Sequence, residues 1–131
     1  MKKIMLDTNA YSHLMKGDNR VLEVIAAAEV VFMSIFVLGE LYAGFFGSKK
    51  NRENQDILKR FLSKPPVRIL NTSSETAKIF GSLKNALRHA GTPVPINDVW
   101  IAALAVETGS VIVTYDKHFQ MIQGIRLWNG N

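Results

Sequence analysis

The chain has 131 residues, 47% hydrophobic and 21% charged, and carries sixteen Lys and Arg against eleven Asp and Glu. That length fits one domain over residues 1–131, and the makeup excludes a disordered or fibrous chain. The absence of cysteine excludes a disulfide framework, a thiolate metal site and a cysteine nucleophile. The N-terminus meets an acid at Asp7, too early for a signal peptide, and the most apolar stretch, Val30 to Gly39, is about half a membrane span. A soluble, cytoplasmic protein with no membrane partner is expected.

In chain order, Ile4–Leu6 reads as a strand, followed by Asp7, which can cap the next helix. Asp18 or Asn19 can cap a helix to about Glu29, with Val21, Leu22, Val24 and Ile25 on its apolar face. Val30–Met33 is the second strand signal, and Ser34 can cap a helix to about Phe46. Phe36, Leu38, Tyr42, Phe45 and Phe46 encircle that helix more widely than one buried face requires. A second copy of the chain or a partner helix is expected to cover the excess. Asn51–Leu62 reads as another helix and Val67–Leu70 as another strand.

Thr72-Ser73-Ser74-Glu75 fits a capping box, opening a helix with Ala77, Phe80, Leu83, Ala86 and Leu87 at spacings of three and four. Gly91 supplies a left-handed stop. Pro93 and Pro95 enforce an extended approach to Asn97, the expected cap of the apolar helix Val99 to Val106, which stops at Gly109. Val111–Val113 is a further strand signal and Ile125–Trp128 a weaker one. Strands alternating with helices predict an α/β protein whose parallel sheet is covered on both faces. Ligands of such sheets bind outside the carboxyl ends of the strands.

That edge is where the acids gather. Asp7 follows the first strand, Asp116 lies just beyond Val111–Val113, and Asp98 adjoins the expected cap at Asn97. Glu40 lies six residues past Ser34, about 9 Å along a helix that starts at the same edge. Its neighbours Val37, Leu38, Leu41 and Tyr42 are apolar, so a Glu embedded among them would need a partner. Each acid alone has a plain explanation as a cap, a turn residue or a helix-dipole charge. Together they suggest one repelling cluster that protonation or a divalent cation would relieve. All-oxygen ligation suits Mg²⁺ or Mn²⁺, and a metal-holding acidic centre suits phosphodiester hydrolysis.

The surroundings are basic. Seven of the sixteen Lys and Arg fall between Lys49 and Arg68, where the only acids are Glu53 and Asp56. Such a run attracts a polyanion or simply forms a solvated face. Lys49, Lys50, Arg52 and Lys117 are candidate substrate contacts. Glycine-rich nucleotide loops and a nucleophile elbow are absent. Asp7 as an aspartyl-phosphate nucleophile is conceivable but leaves Glu40 unexplained.

These four acids in this order resemble a PIN-domain ribonuclease. The resemblance is carried by Asp7-Thr8-Asn9, by Ser34 to Leu41 with Tyr42-Ala43-Gly44, by Pro95 to Ala103, and by Val113 to Phe119. The chain is most similar to the compact VapC-type toxins of prokaryotic toxin–antitoxin pairs. That likeness implies a three-layer α/β/α sandwich with a parallel four- to five-stranded sheet and endoribonuclease activity dependent on Mg²⁺ or Mn²⁺. Homodimerisation and a small antitoxin that blocks the site are also implied. Carried over, Asp7, Glu40, Asp98 and Asp116 match the catalytic, metal-binding quartet. Thr8, Thr114, Asn9 and Asn97 match polar neighbours, Thr114 fixing a carboxylate and Thr8 doing the same or capping a helix. The region Gly47 to Pro66, where the basic cluster lies, carries none of the motifs behind the resemblance.

Two other readings stay open at this level: a non-catalytic RNA- or protein-binding module, and a nuclease acting on DNA. Of the histidines, only His118, two positions past Asp116, lies near a proposed acid, and no acid–base role is assigned to it. Trp100 is expected to pack rather than to stack on bases.

Overall fold

The computed structural model describes residues 2–130. The first half of the chain runs β1 (Lys3–Leu6), α1 (Thr8–Met15), α2 (Asn19–Ala27), β2 (Val30–Ser34), α3 (Ile35–Phe46), α4 (Asn51–Leu62) and β3 (Val67–Leu70). It continues through α5 (Ser74–Ala90), α6 (Ile96–Thr108), β4 (Val111–Val113), a 3-10 turn (Lys117–Met121) and β5 (Arg126–Trp128). All five strands pair in parallel, in the order β3-β2-β1-β4-β5. Connections from β1 through β2 to β3 step one way and those to β4 and β5 step the other. Right-handed crossovers therefore set α1 to α4 on one face and α5 and α6 on the opposite one, the expected α/β/α arrangement.

The central strands explain why the sheet forms. Ile4, Met5 and Leu6 of β1 and Ile112 and Val113 of β4 are fully buried, as near-continuous apolar runs must be when helices cover both faces. The helix α6 is buried from Ile101 to Ala105, its small alanines allowing close approach to the sheet and to α5. Trp100 packs as expected, its ring stacked between Phe80 at 3.8 Å and Phe36 at 5.4 Å. Of the apolar residues of α3, Phe36 is absorbed in this way and Leu38, Tyr42 and Phe45 pack in or against the core, but Phe46 stays 65% exposed and Ile35 38% exposed. Among the described residues no helix is long and apolar enough to cross a membrane.

Two cap assignments are corrected. The box at the start of α5 is formed by Ser73 and Thr76, one position later than read from the sequence, each side chain accepting from the other residue's backbone N–H. Both hydroxyls also donate to Glu107 on α6, at 3.1 Å from Ser73 and 2.5 Å from Thr76. A partner across the helix pair thus selects the register, while Thr72 turns to Asn71 and Glu75 to Lys78. At the start of α6, Pro95 holds the cap position without a side-chain bond, and Asn97 lies inside the first turn. The rigid extended Pro95 enters the helix earlier than a side-chain cap at Asn97 would allow. The left-handed stops at Gly91 and Gly109 occur as expected, at φ 66° and 68°.

The position of the box has a direct consequence. Ser73→Ala should lower stability by about 1–2 kcal/mol in urea denaturation, while Thr72→Ala should change it by less than about 0.5 kcal/mol. Equal losses would return the cap to Thr72.

Candidate active site

The strand order reverses at β1, whose neighbours β2 and β4 are reached by crossovers of opposite direction, and the crevice opens at the carboxyl ends of β1 and β4. Register fixes what lies there. Leu6 pairs with Val113, so the next residues, Asp7 and Thr114, emerge side by side, with the Asp7 N–H donating to Val113 O at 3.4 Å.

Asp7 is 4% exposed and holds two roles at once. Its Oδ1 caps α1 by accepting from the Ala10 N–H at 2.7 Å, and its Oδ2 accepts from the Thr114 hydroxyl at 2.5 Å. The same Thr114 oxygen accepts from the Asp116 N–H at 2.8 Å, so one buried hydroxyl ties together two of the acids. Asp116 then caps the 3-10 turn through the His118 N–H at 2.9 Å. Asn9, exposed on α1, accepts from the Tyr115 N–H at 3.3 Å, and the Tyr115 hydroxyl donates to Asp18 at 2.8 Å. The segment after β4 is therefore held on both sides of Asp116.

Glu40 comes from α3 and is exposed rather than embedded in the apolar face, which turns Val37, Leu38 and Leu41 inward instead. Its partner is the Thr8 hydroxyl, which donates to Oε1 at 2.8 Å. Of the two roles open to Thr8, the structure thus supports fixing a carboxylate, because Asp7 already caps the helix. Asp98 stands in the first turn of α6, half-buried. Asn97 is beside it, but among the described residues no side-chain hydrogen bond links it to the acids.

Charge crowding is visible in the acids themselves. Burial pushes Asp7 from its ordinary 3.8 up to about 6, with the Thr114 and Ala10 hydrogen bonds opposing and the Asp116 and Glu40 charges adding to the rise. Asp98 is likewise pushed up to about 6, by burial first and then by Asp116, Asp7 and Glu40, against a lowering from His118. The charges of Asp116 and Glu40 thus reach both Asp7 and Asp98.

His118, which the sequence marks only as lying near Asp116, joins the acids in the folded chain. Its Nδ1 stands 2.9 Å from Asp116 Oδ1 and 3.9 Å from Asp98 Oδ2. Asp98, Asp116 and His118 each offer one donor atom, all within 4.8 Å of one another. Such an oxygen-rich set with one imidazole fits a hard or borderline divalent cation. The signal was present as a short spacing from Asp116, but only the 3-10 turn shows that the ring folds back.

Lys49, Lys50 and Arg52 do not touch this site. With Glu53, Asp56 and Arg60 they line a separate surface depression of about 420 Å³ at the start of α4. Lys117 is exposed next to Asp116.

Residues 4–125 match the PIN domain family, and the chain belongs to that family. It is 33% identical over 130 residues to ribonuclease VapC2 of Rickettsia felis, covering 95% of this chain and 96% of that one. It is 28% identical over 127 residues to ribonuclease VapC1 of Haemophilus influenzae, covering 93% of each. Among solved structures it resembles a chain of the Rickettsia felis VapBC2 complex bound to a promoter DNA fragment, with a TM-score of 0.86, 29% identity and coverage of 98% and 99%. A DNA-bound VapBC complex of Salmonella typhimurium matches with a TM-score of 0.86 and 29% identity over 98% of each chain. The family and fold read from the sequence are borne out.

Because the folded chain holds the Asp7 and Asp98 protons more tightly than an unfolded chain does, the metal-free fold gains stability as pH falls from about 6 toward 3.8 and loses it on the way back up. Asp7→Asn should therefore raise stability at pH 7 by about 1–2 kcal/mol and flatten the pH dependence of urea midpoints in EDTA. A clear loss instead would mean that Asp7 is a structural cap alone.

Proposed function

We propose that this chain is a divalent-cation-dependent endoribonuclease, the toxin half of a toxin–antitoxin pair, formed by one nuclease domain over residues 1–131. Asp7, Glu40, Asp98 and Asp116 are its catalytic carboxylates, and the cation is Mg²⁺ or Mn²⁺. The observation that carries the reading is the convergence of four acids, from four separate segments, on the edge where the strand order reverses, with the charges of Asp116 and Glu40 felt at both Asp7 and Asp98. The ribonuclease names of the relatives over nearly the whole chain supply the substrate class.

Asp98, Asp116 and Asp7 would hold the cation, directly or through water. When bound, it supplies polarisation of the phosphodiester, a lowered pKa for the attacking water and stabilisation of the leaving oxygen. The protein's own part is placement. Thr114 keeps the Asp7 carboxylate turned into the crevice, and Thr8 anchors Glu40 at the exposed rim, where it can orient water or accept its proton. Lys49, Lys50, Arg52 and Lys117 would attract the RNA backbone, and among the described residues none of them is spent on an ion pair. Unpaired or looped RNA is the natural target, because its bases and backbone can reach an edge crevice.

A small antitoxin protein is the proposed inhibitor, in keeping with the VapBC complexes among the structural relatives. A homodimer is also proposed, burying the exposed Ile35 and Phe46 of α3. Light scattering at high concentration should give twice the chain mass, and Phe46→Glu should shift it to the monomer; a native monomer would end the dimer proposal.

The function itself is tested with an end-labelled pool of structured RNA in Mn²⁺, Mg²⁺ or EDTA. Cleavage should require the cation and fall by about two to three orders of magnitude in Asp98→Asn and Asp116→Asn. Lys49→Glu should raise KM with little change in kcat. Salt-sensitive binding without any cation-dependent cutting would instead favour the binding module, and preferential cutting of DNA would replace the substrate.

A further inference from the structure

We infer that His118 is a nitrogen donor to the site's divalent cation, alongside Asp98 and Asp116, an inference that rests on the cation-dependent reading above. The local chain geometry builds this position. Asp116 accepts from the His118 backbone N–H at 2.9 Å, which closes the 3-10 turn and swings the imidazole back over the carboxylate that started it. The ring nitrogen Nδ1 then stands 2.9 Å from Asp116 Oδ1 and 3.9 Å from Asp98 Oδ2.

These separations suit shared ligation. Two donors at right angles on an ion with bonds of about 2.1 Å stand about 3.0 Å apart, and opposite donors about 4.2 Å apart. The Asp116 pair matches the first spacing, and the Asp98 pair lies between the two. An imidazole nitrogen facing two carboxylate oxygens needs something positive between them. That is either its own proton, which makes an ordinary hydrogen bond to Asp116, or a cation. The side chain is 51% exposed, so the apolar core does not hold the ring there and the acids are its nearest partners.

A nitrogen donor changes which ion the site prefers. Imidazole suits transition metals, whereas Mg²⁺ favours oxygen and water. With His118 the site should favour Mn²⁺ over Mg²⁺ more strongly than four carboxylates alone would.

The test is electron spin-echo modulation of Mn²⁺ bound to the full chain, which detects a directly coordinated ¹⁴N, with His118→Gln in parallel. The half-exposed ring makes the variant safe for folding, and its circular dichroism and thermal midpoint should match those of the native chain. The expected result is ¹⁴N modulation in the native protein that is absent from His118→Gln, with Mn²⁺ binding about tenfold weaker and Mg²⁺ binding less affected. Mn²⁺ bound without ¹⁴N modulation, or modulation that survives in the variant, would overturn the assignment and leave the carboxylate site standing. Failure of the native chain to bind Mn²⁺ at all would overturn both this inference and the cation-dependent reading.

Discussion

The Thr114 hydroxyl accepts from the backbone of Asp116 and donates to the side chain of Asp7, and the remainder of the site is arranged around that pair of bonds. Its place is set by strand register: Leu6 opposite Val113 makes Asp7 and Thr114 neighbours just past the point where β1 and β4 stop pairing. Crowded carboxylates left to themselves would rotate toward water and away from each other. A buried hydroxyl that bonds one acid and orients the backbone of the next prevents that. The anchors farther out, Asn9 on Tyr115 and Tyr115 on Asp18, hold the same segment from the side of α1 and α2.

Holding charges this way costs stability, and the core beneath offsets the cost. The strands that deliver Asp7 and Thr114 contribute only apolar side chains to the interior, and α6, which delivers Asp98, is buried for five consecutive residues after its first turn. Rigid elements thus terminate at a repelling edge. The destabilised groups sit at the ends of strands and in the first turn of a helix, where a side chain can be held firmly without disturbing the packing below.

Much of this was legible because it follows from chain direction and periodicity. The apolar runs are short and β-branched, helices separate most of them, and acids at strand ends of such a sheet must share an edge. The errors came where a neighbouring residue or a contact distant in sequence overrode the local pattern. Either Thr72 or Ser73 can open a capping box, and Glu107, over thirty residues away, settles the matter for Ser73. Asn97 reads as a cap until Pro95 begins the helix first. Glu40 looked buried because its sequence neighbours are apolar, yet a helix turns those neighbours inward and leaves the Glu outside with Thr8. His118 was unreadable for a related reason: the spacing from Asp116 is plain, but the direction of its ring depends on a 3-10 turn that periodicity does not reveal.

The separation of the acidic edge from the basic depression at the start of α4 has a consequence for how a polyanion could use both. Phosphate approaching four coupled carboxylates meets repulsion unless positive charge is already among them, while phosphate approaching Lys49, Lys50 and Arg52 is attracted at once. In the proposed reaction, RNA would therefore be captured by the basic surface whether or not the acidic edge is neutralised, but would enter the crevice only after it is. Cation and substrate then favour each other's binding across one molecule, because each removes the charge that would repel or strand the other. A basic surface built directly around the carboxylates would have weakened that coupling by neutralising them with lysine or arginine. In that reading, keeping the two charges apart would leave the acids dependent on a cation from outside the chain.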